Sequence, residues 1–370
     1  MEIIVPSFDL AQQNEILYEE LMTAIGNVIK SGQLIMGPDV VKLEKSLASY
    51  CKTKQAIGVA NGSDALYLAL LAAGIGPGDE VITTPFTFFA TASSIVRTGA
   101  KPVFCDIDLK TFNLAPQEIE KNLTSKTKAI LPVHLYGQVA EMDKINAIAK
   151  AHNLVVIEDA AQALGASYDG RPACSFGDLA CLSFYPTKNL GAFGEAGMVF
   201  SSNEELAKKV KLLRVHGSSR RYHHEILGFN CRLDTIQAAV LNVKLKYLPG
   251  WLSKRKAIAA QYDKELKGVP GLITPYTHPK AVHSYHQYVI KVKNRDEIYR
   301  KLQEQGISTM IYYPLALHLQ PVFSNLGYKE GDFPLAEQAT HEVLALPMYP
   351  EMTEEQVKFV CDKLKTCLIG

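Results

Sequence analysis

From Thr127 to Ala160 the chain reads TKAILPVHLYGQVAEMDKINAIAKAHNLVVIEDA, and this stretch does most to limit what the sequence can fold into. Its outer runs, TKAILPVHLYG and NLVVIEDA, are apolar and rich in β-branched residues, as strands buried on both faces are. Between them, EMDKINAIAKAH spaces its apolar residues at the helical period. Strand, helix and strand in succession call for a parallel sheet covered by helices. Upstream, DEVITTPFTFFATASSIVRTGA predicts a strand, a loop around Pro85 and a helix from about Ala90, and KPVFCDI predicts another strand. The expected fold class is therefore α/β with a mostly parallel central sheet.

Further on the pattern changes. LDTIQAAVLNVKLKYLPGW predicts one long helix that stops near Pro249–Gly250. AVHSYHQYVIKV reads as a strand, RDEIYRKLQEQG as a helix with a glycine stop, and ISTMIYY as a further strand. We expect a large domain over 1–248 and a smaller C-terminal α+β domain over 249–370. Hydrophobic residues make up 47% of the 370 positions, enough for a large core, and the net charge of +1 gives no nucleic-acid footprint. Seven cysteines, an odd number without a C-x-x-C pair, lead us to expect reduced, buried thiols in a cytoplasm. MEIIVPSFDL has neither the basic nor the long apolar region of a secretory signal, and no apolar run reaches the roughly 18 residues of a membrane span.

Three segments hold residues fit for chemistry. In VVIEDAAQALG, Asp159 closes a strand and Gln162 follows three positions later. A carboxylate at a strand's carboxyl end is placed to meet a ligand, although the same Asp could simply cap a helix beginning at Ala160. In VANGSDALYLALLAAG, Gly62 and Ser63 stand at a helix start, where free amides and the helix dipole suit a phosphate; many helices start this way and bind nothing. In SFYPTKNLGAFGEAG, Lys188 sits among aromatics and glycines. A lysine held there in low polarity can lose its proton and attack a carbonyl, whereas in an exposed hairpin loop it would do nothing. Together these features match the needs of pyridoxal 5′-phosphate: a lysine for its aldehyde, a carboxylate for its ring nitrogen, donors for its phosphate and a flat group for its ring. Phe88, just after a strand, can be that flat group or plain core. No G-x-G-x-x-G follows a predicted strand, so a dinucleotide fingerprint is absent.

In order and spacing, ANGSDAL, PFTFFATA, VIEDAAQALGA, SFYPTKNLGAFGEAG, GFNCRLDTIQAA and YYPLALHLQ resemble the nucleotide-sugar aminotransferases of the DegT/StrS type, with fold-type-I pyridoxal-phosphate architecture. The resemblance implies that Lys188 forms the Schiff base with the cofactor and that Asp159 pairs with the pyridine nitrogen. It also implies that Gln162 bonds near the ring hydroxyl, that Phe88 stacks on the ring, and that Gly62, Ser63 and Ser183 bind the phosphate. Asn230 is expected to reach the phosphate of the neighbouring subunit in a homodimer, and Arg232 to approach the sugar nucleotide. Glutamate is the implied amino donor in a ping-pong transamination. Some relatives carry histidine at the lysine position and deoxygenate their substrate; Lys188 places this chain outside that branch.

RRYHHEILGFNCRLD and PFTFFATASSI look most like enzymes acting on 3-keto sugars joined to UDP or dTDP, with 4-keto sugars as the rival. Tyr312 stands where relatives handling a sugar carboxylate often have histidine, which argues against a uronate. Candidate sugar or nucleotide contacts are Tyr185, Arg221, Tyr222, His223, Tyr313 and His318, each of which also reads as an exposed loop residue or a structural hydrogen-bonding group. His134, at a strand end, reads as a satisfied core histidine, with pocket wall as the alternative. No metal-ligand spacing stands out. A non-catalytic binding protein or regulator that keeps the fold is the alternative of a different class.

Overall fold

The structure is a computed structural model and describes residues 4–369. The ends of the expected domains at residues 1 and 370, and the start of MEIIVPSFDL, lie outside the described residues. A seven-stranded sheet organises the larger part, in the order Gln55–Val59, Gly197–Ser201, Leu179–Ser183, Val155–Asp159, Thr127–Ile130, Glu80–Thr83 and Lys101–Phe104. Gly197–Ser201 runs antiparallel to both its neighbours, and the other pairs are parallel. Alternation along the central strands feeds two cores. Ile82, Ile130 and Val156 pack with Leu43, Leu47, Met142 and Ile145 on one face. Val81, Ala129 and Ile157 pack with Leu66 and Val210 on the other. This explains the uninterrupted apolar runs, since each fully buried Val or Ile contributes about 1.5–3 kcal/mol.

The smaller part has a three-stranded antiparallel sheet of Leu272–Ile273, Tyr288–Val292 and Val343–Leu346. The helices Leu248–Leu266, Arg295–Glu304 and Glu354–Ile369 accompany it. Its core joins Ile258, Tyr262, Tyr288, Leu302 and Val357 with Val5, whose backbone bridges to Ile307, so the start of the described chain packs here.

Three local expectations are corrected. AVHSYHQYVIKV is not one strand but two, Ala281–Val282 and Tyr288–Val292, which lie in different sheets. The single helix ending at Pro249 is two helices, Thr235–Leu245 and Leu248–Leu266, and Pro249 lies in the first turn of the second. A proline there lacks only an N–H that would have no helical partner, so it opens the helix and does not end one. ISTMIYY is not a strand; Ile307 and Met310 each make a single bridge, to Val5 and Ala345. All seven cysteines are buried and unpaired. Among the described residues no helix is long and apolar enough to cross a membrane.

Candidate active site

The parallel strands bring their carboxyl ends to one edge, where ligands of open α/β sheets bind. Val59 leads there into Asn61 and the helix Gly62–Ala72, and Val155–Asp159 ends on its carboxylate. Leu179–Ser183 ends on Ser183, and the connection from Ser183 to Gly197 carries Lys188. That connection does join two antiparallel strands, as a hairpin loop would, but it folds inward and buries Phe184, Leu190, Ala192 and Ala196. Gln237 clamps it: the Phe193 amide donates to Gln237 Oε1 at 2.9 Å, and Gln237 Nε2 donates to the Phe193 carbonyl at 3.2 Å. A side chain at Gly191 would meet the Pro186 carbonyl at 2.2 Å, and one at Gly197 the Asn61 carbonyl at 2.3 Å, so these glycines allow a close backbone approach.

Lys188 is half-buried at the bottom of this cleft, and desolvation lowers its pKa to about 8, partly offset by the charge of Asp159. Roughly a fifth of the amine is then neutral near physiological pH, far more than for an ordinary lysine, and able to attack an aldehyde. Asp159 is buried; desolvation raises its carboxyl pKa, opposed by hydrogen bonds from Thr91 and the Ala161 amide and by the charge of Lys188. No helix begins at Ala160; Asp159 Oδ1 instead receives the Ala161 amide at 3.2 Å in a turn.

The start of the Gly62–Ala72 helix also offers free donors. Asn61 caps the Gly62–Ala72 helix through the Asp64 amide at 2.8 Å, and the Ala65 amide bonds the Asn61 carbonyl. This leaves the Gly62 and Ser63 amides without a partner among the described residues, as donors at the positive end of a helix. A side chain at Gly62 would sit 2.6 Å from Ser183 Cβ and fill the cradle. The Ser183 hydroxyl, which accepts from the Tyr185 amide at 3.2 Å, borders the same space. Phe88 is 56% exposed, its ring 6.3 Å from that of Tyr313, so it is free to stack and is not plain core. Gln162 Oε1 receives the Tyr136 amide at 2.6 Å, and its Nε2 donates to the Tyr313 hydroxyl at 3.1 Å, leaving one amide hydrogen. With free donors, an oriented carboxylate and an amine of low pKa, these residues fit pyridoxal 5′-phosphate.

The other candidates divide. Tyr185 is exposed at the cleft, and burial raises the pKa of Tyr313, which stays a neutral donor or acceptor. Arg221, Tyr222 and His223 lie on an exposed hairpin, Ser218–Arg220 with His223–His224, where Arg221 stacks on Tyr222. Tyr222 and Leu227 are 84% and 86% exposed, so this arm has little support within its own chain. Asn230 is exposed and bridges Val215, while Arg232 bridges Val59, and its buried Nε has no partner among the described residues. His318 is not brought to the cleft; it is enclosed, with Nε2 3.0 Å from Glu337 and its ring edge-on to Phe333. His134 accepts the Ala140 amide on Nδ1, so its Nε2–H donates to Glu158 at 2.8 Å, a satisfied core histidine.

Four groups at or near the site had no separate sequence signal. Thr91 donates to Asp159 at 2.8 Å. Tyr136 takes the left-handed conformation, φ +58°, that turns its amide onto Gln162. His286 is buried and held neutral, by burial first and then by the charges of Lys188 and Arg255. Lys244 is a second lysine whose pKa burial lowers to about 8, but it is 1% exposed, between the rings of Phe193 and Trp251, and does not open to the cleft.

A half-buried lysine beside a strand-end carboxylate, with free amides at a helix start, is the set of groups that a pyridoxal-phosphate transferase of the aminotransferase architecture uses. Residues 15–365 match the DegT/DnrJ/EryC1/StrS aminotransferase family, and the chain belongs to it. It is 54% identical to a pleiotropic regulatory protein of Geobacillus stearothermophilus, covering 97% of both chains. It is 42% identical to the UDP-2-acetamido-2-deoxy-3-oxo-D-glucuronate aminotransferase of Pseudomonas aeruginosa, over 98% of this chain and 99% of that protein. It is also 42% identical to the dTDP-3-amino-3,4,6-trideoxy-alpha-D-glucose transaminase of Streptomyces venezuelae, over 98% of this chain and 95% of that one. Among solved structures, S. venezuelae DesV in complex with a ketimine intermediate superposes with a TM-score of 0.96 at 41% identity, covering 98% of each chain. The protein is a pyridoxal-phosphate-dependent aminotransferase.

Proposed function

We propose that the chain moves the amino group of glutamate to a 3-keto hexose carried on UDP or dTDP, in two half-reactions at one site. When bound, pyridoxal 5′-phosphate supplies an aldehyde for amine capture and an electron sink for the C–H bond that must break. Lys188 would hold the cofactor's aldehyde through its amine and would serve as the acid and base that moves a proton at the substrate carbon. Asp159 would favour a proton on the ring nitrogen, and Gln162 would donate near the ring hydroxyl. Phe88 covers a ring face, and Gly62, Ser63 and Ser183 hold the phosphate. The exposed arm supports a homodimer with shared sites, in which Asn230 reaches the neighbouring phosphate and Arg221, Tyr222, His223 and Arg232 approach the nucleotide sugar, with Tyr185 and Tyr313 on the sugar side.

The observation that carries this reading is the Lys188 amine opposite Asp159 with the Gly62–Ser63 amides left free. The relatives named above support the 3-position, on both UDP and dTDP. The Geobacillus relative favours a regulatory reading, yet a non-catalytic regulator would have no use for a lysine of low pKa in the cleft. The test is amine transfer from glutamate to UDP- and dTDP-linked 3-keto and 4-keto sugars, a 3-keto uronate included. A new amine at C3 is expected. Transfer to 4-keto sugars alone overturns the positional assignment, and no transfer to any member favours the regulator.

A further inference from the structure

The helix Phe89–Arg97 and the residues before it hold a chain of buried hydroxyls. Thr87 Oγ1 lies 3.1 Å from Thr91 Oγ1, which lies 2.8 Å from Asp159 Oδ2. All three side chains are buried. An ionised carboxylate only accepts hydrogen bonds, so the single Thr91 proton goes to Asp159. Thr91 Oγ1 then accepts from Thr87, and the chain runs one way, from Thr87 through Thr91 to Asp159.

This is not the ordinary use of a helical hydroxyl. Such groups usually bond back to a carbonyl of the preceding turn. On the same helix Ser93 and Ser94 bond the Ala90 carbonyl, and Thr98, just past its end, bonds that of Ile95. Thr91 instead reaches across 68 residues of sequence to another element. The Asp159 carboxylate is fixed on one oxygen by Thr91 and on the other by the longer bond from Ala161, which leaves lone pairs free for a ring N–H. Without these donors a buried carboxylate would protonate or turn away.

We propose that Thr91, backed by Thr87, is a positioning residue that orients Asp159 as the acceptor for the cofactor's ring nitrogen. The inference rests on the role of Asp159 given above. Its effect is specific to that nitrogen and does not extend to the phosphate or the aldehyde.

The test compares binding of pyridoxal phosphate to the apoprotein with binding of its 1-deaza analogue, in which carbon replaces the ring nitrogen. The wild type should prefer the natural cofactor. Thr91→Val keeps the shape of the side chain and removes the donor, and should cut that preference about tenfold, the size of one lost hydrogen bond to a charged acceptor. Thr91→Ser should keep it. A Thr91→Val variant with the wild-type preference, or with both affinities reduced in parallel, overturns the proposal. If Thr91→Val does not fold, Thr87→Val decides: a preference about two- to threefold lower is expected for loss of the outer, neutral link, and an unchanged one overturns the proposal. Asp159→Asn separates the two readings. It should abolish the preference, and if it does not, the role of Asp159 itself is wrong.

Discussion

Lys188 and Lys244 show that a low pKa does not by itself make a catalytic lysine. Burial lowers both to about 8, but only Lys188 opens to a cleft and faces a carboxylate. Imine formation needs the neutral amine, so capture of pyridoxal phosphate by the apoprotein should accelerate as pH rises through about 8, and Lys244→Met should leave that midpoint in place. Stopped-flow absorbance would measure it; a midpoint near the ordinary lysine value of about 10.5 would contradict the buried setting of Lys188. The linkage has a matching sign. Between about pH 8 and 10.5 the unfolded chain binds more protons at these lysines than the folded one, so their contribution to stability rises with pH across that window. Thermal melting of the apoprotein, wild type against Lys188→Met, should show a steeper rise for the wild type. The lysine could be singled out in the sequence because glycines and aromatics surround it. Lys244 could not, because its burial depends on Phe193 and Trp251, which its own helix does not contain.

At the scale of elements, the glycines around the site fix how closely the segments approach. Gly197→Ala would push a methyl group to 2.3 Å from the Asn61 carbonyl, beside the start of the phosphate helix. We expect a loss of about 1–3 kcal/mol in stability, the usual cost of overpacking, together with weaker phosphate binding. Denaturant unfolding and cofactor titration would measure the two, and an unchanged protein would show that the strands can separate without cost. The central strands were legible in sequence because burial on both faces leaves an unbroken apolar run. The stretch Ile307–Tyr313 has similar residues but forms only single bridges, because a ladder needs a partner edge that local sequence does not reveal. Pro249 misled for a related reason: a proline looks the same whether it ends one helix or opens the next. Asp159 and Gln162 were readable at a strand end, whereas Thr91 and the turned amide of Tyr136 emerge only when distant segments meet.

For the molecule as a whole, the proposed homodimer, in which Asn230 reaches the neighbouring phosphate, means that one chain alone lacks part of its site. Lys188→Ala and Asn230→Ala should each impair the homodimer while leaving the chain folded. If sites are shared, mixing and re-associating the two variants gives mixed dimers in which one site has both native residues. Activity should then recover to about a quarter of the wild-type level, from random pairing; no recovery would mean that each chain serves its own site. The most direct measurement concerns the linkage on which the whole account depends. Borohydride reduction of the holoprotein, followed by peptide mapping, should place the pyridoxyl label on Lys188 alone. Label on Lys244 or any other amine, or no label, would contradict it.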